Sequence, residues 1–413
     1  MTVAKRARCK RVLLGCVVAS AGMVPSIALA QSAPGSASRQ PGPALRAGLD
    51  ATYFSNMTRS SEAEAAARGL SQSDVRITPK VDLDIIKRIA GRHTATLAGS
   101  VGYDINMRNT RLNRERVSLD AGLDLDLPVC DTAFEANFAR RQSDLGDFPG
   151  NDPESGKNAE TFLGGSARVT CGSVGGLRPT AAVRYQTATN TLASRTFNDH
   201  DVLSYTGGLM YQSVALGEVT GLVRRTEVRF PNQPLAGGSA SGFDSTAYGV
   251  AFSRNIGARL SANAELTYAA LDSRLGGTPG FRGMNWDVSA KLLVGSRLEL
   301  TANTSRLLST SLLIPSNYNI SSTYSWAGRY ALTGRVNLEA GYTHLYRRFI
   351  GPTRVIGTPL TRDLRDTGYI GARYSVNRRI ALRLRATRDQ RTGGGPAYDF
   401  VDYRALSSID VSL

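Results

Sequence analysis

The sequence predicts an all-β transmembrane barrel of about eighteen antiparallel up-and-down strands, with sixteen as the next count. Three observations carry this. Apolar and polar residues alternate with a period of two over runs of ten residues or more. The breaks between runs are of two kinds, short turns and long polar loops. The first thirty residues have the layout of an export segment.

The composition excludes several other classes. The chain has 413 residues, 41% of them apolar and 20% charged, with 42 Gly. Apolar and aromatic residues are spread throughout, so the chain is not disordered. No Gly triplet or heptad is sustained, which excludes collagen and coiled coil. Beyond the export segment no run of eighteen apolar residues occurs, so a helical membrane protein is disfavoured.

Residues 1–30 read as a signal peptide. Lys5, Arg6, Arg8, Lys10 and Arg11 form its basic start, an apolar stretch follows, and Ala28-Leu29-Ala30 precedes Gln31. Small residues in that spacing mark cleavage between Ala30 and Gln31. A membrane anchor is the alternative, but the stretch is short and broken by Pro25. Leu13-Leu14-Gly15-Cys16 resembles a lipobox but lies too close to the basic run. Cleavage lowers the formal net charge from +16 by those five, to +11. Residues 31–43 are a Pro/Gly/Ser linker on the periplasmic side, and residues 44–413 form the barrel.

The strands follow in order. Val75, Ile77, Val81, Leu83 and Ile85 share one face, and Arg76, Thr78, Lys80, Asp82 and Asp84 the other. Leu97 to Ile105, Val117 to Leu127 and Ile380 to Ala386 alternate in the same way. Soluble sandwiches use strands of about five or six residues, so runs of this length favour strands that cross a membrane at a tilt. Short turns fall near 89–92, 128–131, 172–177, 214–217, 255–258, 294–297, 331–334 and 376–379. Longer connections lie between them, as at 57–71, 145–158, 231–242, 271–282, 350–360 and 392–397. Eight short turns and nine longer connections give seventeen junctions and place both termini on the short-turn, periplasmic side. Residues 61–68 (SEAEAAAR) fit one or two helical turns inside the first long loop. The last residues, Ile409 to Leu413, keep the alternation but end on Leu, where outer-membrane strands often end on Phe.

Residues 47–55 (AGLDATYFS) and the tract 77–106, with GRHTATLAGSVGYDIN at its centre, resemble the putative beta-barrel porin 2 family of bacterial outer-membrane proteins. The resemblance implies a porin in the outer membrane of a Gram-negative bacterium. Some members of that family are associated with exopolysaccharide production.

No enzyme constellation is present. His93, His200 and His344 fall in separate parts of any barrel, and no phosphate loop or metal-binding motif occurs. Asp199-His200-Asp201 is the one local cluster that suggests a cation, and a solvated loop is the plainer reading. Neither a cofactor nor a metal is implied. The basic residues are dispersed along strands, which argues against nucleic acid as a partner. The expected partners are outer-membrane lipid, the barrel-assembly machinery, and hydrophilic solutes or polysaccharide.

The lumen is where chemistry is expected. Parity points Asp82, Asp84, Asp104, Asp120, Asp124, Asp126 and Glu135 inward on one arc. Arg335, Arg347, Arg373, Arg379, Arg383 and Arg385 are expected inward on another. Opposite charges on separate arcs bias which solutes pass. Ion-pair networks that merely rigidify the wall are the alternative. Cys130 and Cys171 lie at the short-turn ends of two neighbouring strands with the same outward parity. Adjacent strands are about 4.7–4.9 Å apart, within reach of a disulfide, and the periplasm is oxidising. The expected function is therefore a passive channel for hydrophilic solutes, with support for polysaccharide export as its narrower form. The competing reading is a plugged structural or adhesive barrel whose long loops bind a surface partner.

Overall fold

The computed structural model describes residues 42–413 apart from 148–154, 174, 236–237, 239, 311–317, 352–359, 394 and 396–397. The expected signal peptide, its Ala30–Gln31 cleavage site and nearly all of the linker lie outside these residues.

Eighteen strands form one sheet. They are β1 (Gly42–Phe54), β2 (Asp74–Ile89), β3 (His93–Asn106), β4 (Arg114–Asp126), β5 (Cys130–Gln142) and β6 (Ala159–Cys171). Next come β7 (Leu177–Asn190), β8 (His200–Ser213), β9 (Gly217–Pro234), β10 (Ala240–Ile256), β11 (Leu260–Ser273) and β12 (Phe281–Val294). The last are β13 (Leu298–Ser309), β14 (Tyr318–Ala331), β15 (Val336–Ile350), β16 (Arg362–Ser375), β17 (Ile380–Thr392) and β18 (Phe400–Ser412). Each strand pairs antiparallel with its neighbours in sequence, and β1 closes the barrel on β18, from Arg46 opposite Ser412 to Phe54 opposite Arg404. The first strand begins at Gly42, two positions before the expected barrel start. Closure leaves no edge strand, as hydrocarbon requires, because it offers no water to unpaired backbone groups.

The pleat sorts side chains by solvent. Val101, Leu163, Leu209, Val223, Leu266, Ile370 and Leu384 point outward, each at least 50% exposed. Comparable residues stand on the outer face of nearly every strand, so the apolar band circles the wall. A soluble monomer rarely exposes an apolar patch of more than a few hundred Å². This band is a lipid-facing surface. No helix among the described residues is long and apolar enough to cross a membrane.

Short turns close one end. Between β2 and β3, Ala90 (φ 49°) and Gly91 (φ 75°) take the left-handed conformation that so tight a reversal demands. Beside this end Cys130 and Cys171 stand opposite each other in the β5–β6 register and are joined, S–S 2.08 Å and Cα–Cα 4.0 Å. Toward the long-loop end the outer face turns polar, with Glu115–Arg140 (2.8 Å) on one side and Arg229–Asp244 (2.8 Å) on another. In outer-membrane barrels the short turns face the periplasm and the long loops the exterior.

Candidate functional site: a lumen narrowed by its own loops

The long loops fold back into the barrel. In the first of them, α1 (Glu62–Ala67) starts on a capping box: Ser61 Oγ accepts from the Glu64 amide, and the Ser61 amide donates to Glu64 Oε2 at 3.1 Å. This is the short helix that the sequence signalled. Leu70 from the same loop packs with Leu112 and Leu145 from the loops after β3 and β5, and with inward Phe162 and Ala188. The buried Arg68 donates to the Leu145 carbonyl (3.3 Å), tying the first loop to the β5–β6 loop.

The β5–β6 loop then reaches the wall formed by β15–β18. Asp144 pairs with Arg59 of the first loop and with Arg365 (3.1 Å). Asp147 pairs with Arg391 (2.7 Å) and Arg347 (3.4 Å), and Arg391 also donates to the Gly146 carbonyl (2.8 Å). Behind them Asp363 holds Arg347 (2.6 Å) and Arg391 (2.7 Å). Asp389 holds Arg365 (2.6 Å) and Arg404, and Asp402 holds Arg404 (2.6 Å). Five arginines thus face five aspartates, every side chain at most 13% exposed. Burying an ion alone costs several kcal/mol, so this many charges persist here only because each has a partner. Burial by itself would raise the Asp144 carboxyl, but Arg59 and Arg365 outweigh it and hold it well below the usual carboxylate range.

The other half of the same level is apolar. Val228, Phe243, Ala269 and Leu271 face inward and pack with Leu308, Tyr318 and Ile320. The last three have the outward phase of β13 and β14. They meet inward residues because the β13–β14 tip leans into the lumen, and Thr310 beyond it bonds His200 Nε2 at 2.7 Å. His200 is 3% exposed, with its ring tilted against that of Phe230 at 5.8 Å between centroids, so it is no solvated loop residue. Asp201 points outward, where the Tyr185 hydroxyl donates to it (3.2 Å), so Asp199, His200 and Asp201 do not converge. Among the described residues no group of side chains could hold a metal ion.

The residues expected to line the lumen separate into three fates. Asp104 and Arg347 are interior ion-pair partners: Asp104 is 4% exposed between Arg116 (2.8 Å), Arg76 (3.4 Å) and the Thr78 hydroxyl (2.7 Å), and Arg347 belongs to the loop latch. Arg385 is also paired, with Glu339 at 2.6 Å, and lies over the Tyr369 ring. Arg335 and Arg379 lie outside the strands. They sit exposed in the short turns before β15 and β17, where the pleat no longer sets direction. The third group has the inward phase near the short-turn end. Asp82 stands opposite Arg46, with Asp84 two positions on. Asp120 and Asp124 flank Gly122, which is opposite Glu135, so three carboxylates surround one glycine. Asp126 lies at the rim, its amide donating to His93 Nδ1 (3.1 Å). Arg373 and Arg383 are directly opposite each other.

Elsewhere near this end, charges cancel locally, as in Lys80–Asp50 (2.9 Å), Arg224–Glu265 (2.8 Å) and Lys291–Glu299 (2.8 Å). Asp120, Asp124, Glu135, Arg373 and Arg383 make no ion pair among the described residues. The inward phase near this end thus carries carboxylates on β4–β5, with Arg168 in the same cross-strand row as Asp124, and the Arg373–Arg383 pair on β16–β17, with Asp410 acting on Arg373; above them the loops form a narrow, mixed ionic and apolar level.

The chain matches no protein-family model, that of the putative beta-barrel porin 2 family included, and no curated protein sequence. Among solved structures it is similar to the outer membrane protein OpdK of Pseudomonas aeruginosa, at 12% identity over 90% of this chain and 99% of that one, with a TM-score of 0.43. It is similar to a BenF-like porin of Pseudomonas fluorescens Pf-5 at 12% identity, 90% and 99% coverage and a TM-score of 0.44. OccAB3 of Acinetobacter baumannii gives 10%, 90% and 99%, and 0.43.

Proposed function

We propose that the protein is a passive outer-membrane channel for hydrophilic solutes, narrowed by its inward loops and biased by the sign-sorted charges of its wall. The observation that carries this is the Arg373–Arg383 pair. Like charges directly opposite in a ladder destabilise it, by up to about 1 kcal/mol. A wall built only for rigidity would pair them, as it pairs Arg385 with Glu339. Two guanidiniums beside the single carboxylate of Asp410, which Lys80 also approaches at 3.7 Å, attract anions to one arc, as the carboxylates of β4–β5 attract cations to another. Planar-bilayer recording tests this: purified protein gives discrete steps, and Arg373→Gln with Arg383→Gln shifts ion selectivity toward cations.

The loop latch favours a second reading, a barrel plugged for structural or adhesive use. Correctly folded protein that passes no current supports it. Support of polysaccharide export is the narrower form of the channel reading and rests on the family resemblance; a deletion strain with unchanged secreted polysaccharide rejects it. The proposed signal peptide predicts a mature chain starting at Gln31, which intact-mass measurement of outer-membrane protein checks.

A further inference from the structure

The outward wall of β12–β17 departs from the rest of the barrel in shape and in charge. Where the β13–β14 tip leans inward, the wall opens into a crevice of about 640 Å³ bordered by Phe281, Tyr318, Tyr346, Arg348 and Arg362. Nearer the short-turn end an apolar groove of about 1100 Å³ crosses the strands. Its floor is made of small residues, among them Ala302, Gly328, Ala340 and Gly368, with Trp326 and Ile370 rising from it and Arg388 at its end.

Arg348 and Arg362 face each other across the β15–β16 register, and both are exposed. Neither has a hydrogen-bond or ion-pair partner among the described residues, and the connections 310–317 and 351–361 contain no Asp or Glu. Arg306, over the Trp286 ring at 5.6 Å, and Arg388 also have the outward phase. The single outward carboxylate of these strands, Asp366, is already engaged by the Tyr342 hydroxyl (2.5 Å) and by His344 (2.8 Å). The outer face of β9–β11 is different: Arg229 and Arg274 there are neutralised by Asp244 at 2.8 and 3.0 Å.

We propose that this arc binds a phosphorylated saccharolipid of the outer leaflet, of the lipid A class, with phosphate on Arg348 and Arg362 and acyl chain in the groove. The inference rests on the outer-membrane reading of the barrel, with the long loops outside. A guanidinium fork matches phosphate oxygens with two parallel hydrogen bonds, and an anion between Arg348 and Arg362 removes their mutual repulsion. The small-residue floor lets an acyl chain lie closer to the sheet than it can on a wall of Leu and Val. Lipid A joins both demands in one molecule, and the crevice at the top of the apolar band stands at headgroup level.

The test uses the full-length protein in detergent, with binding read by native mass spectrometry. The probes are hexa-acylated lipid A, the same lipid dephosphorylated, phosphatidylglycerol and inorganic phosphate. The expected result is tight binding of lipid A, weakened roughly tenfold or more by dephosphorylation and by the double variant Arg348→Glu/Arg362→Glu. Arg140→Ala, on the far wall, leaves binding unchanged. Heat-modifiability on gels establishes folding, and Arg348→Gln/Arg362→Gln carries the test if the glutamate pair does not fold. Equal binding of the dephosphorylated lipid, of phosphatidylglycerol or of phosphate alone overturns the proposal, as does unchanged affinity in the variants. The readout needs no conduction, so a closed lumen leaves this result standing, whereas recovery of a soluble protein removes the barrel reading itself.

Discussion

Arg365 shows how much one side chain holds. Its two nitrogens grip Asp389 at 2.8 and 2.6 Å, and a third reaches Asp144 at 3.1 Å in the β5–β6 loop. Arg365→Met leaves two buried carboxylates short of a partner, which costs about 3–5 kcal/mol. The expected outcome is a freed loop: higher single-channel conductance, and faster protease cleavage within residues 143–147 than in the parent. The pH response has a definite sign. A carboxyl whose folded-state pKa is depressed contributes stability above its unfolded value, about 3.9, and loses it as pH falls toward the folded value. Asp144 is such a group, held down by Arg59 and Arg365 against the effect of burial. Its share of the latch is thus complete at neutral pH and weakens only in acid below the ordinary carboxylate range. Conductance measured at pH 7 and pH 5 should agree, and a stepwise opening between them would show that other groups hold the loop.

Strands and turns were largely legible in the sequence, and the inward loops were not. Alternation on β2 to β4 and on β17 marks both faces, because lipid and water impose opposite demands on successive side chains. The eighteen strands also follow from the spacing of turn residues. Parity and neighbouring turns bring Cys130 and Cys171 together at positions 41 apart. Closing a loop of that length stabilises by roughly 4 kcal/mol on chain entropy alone, and by less where a sheet already pairs the strands. Cys130→Ser with Cys171→Ser should therefore lower the unfolding temperature modestly and leave conductance unchanged. Peptide mapping without reductant checks the link: two alkylatable thiols in fresh outer membranes would exclude it. The latch, by contrast, joins Asp147 to Arg391 across 244 positions, and no local pattern distinguishes those charges from solvated ones. The inward lean of β13–β14 is equally silent, since Leu308, Tyr318 and Ile320 keep the outward phase of ordinary lipid-facing residues. Phe243→Ala tests that packing; losing a buried Phe costs about 3–5 kcal/mol and should loosen the tip more than the wall, seen as faster amide exchange confined to the ends of β10, β13 and β14.

Taken as one object, the barrel has three levels with different physics. An apolar band faces lipid, a mixed ionic and apolar layer of loops narrows the lumen near the exterior, and the section below it carries inward charges of both signs. In an open lumen, narrowing concentrates the field of the wall charges, because low-dielectric protein surrounds the water. A channel of this design passes small ions in discrete steps and discriminates by sign. A plugged barrel has the same band and the same latch but no continuous water path. Reconstitution in planar bilayers separates them directly. Parent protein, shown to be folded by heat-modifiability, should give unitary conductance, and Arg373→Gln/Arg383→Gln should move the reversal potential in a salt gradient toward the cation side. Folded protein that never conducts, or a reversal potential that does not move in the variant, would mean that these charges serve the wall and not the traffic through it.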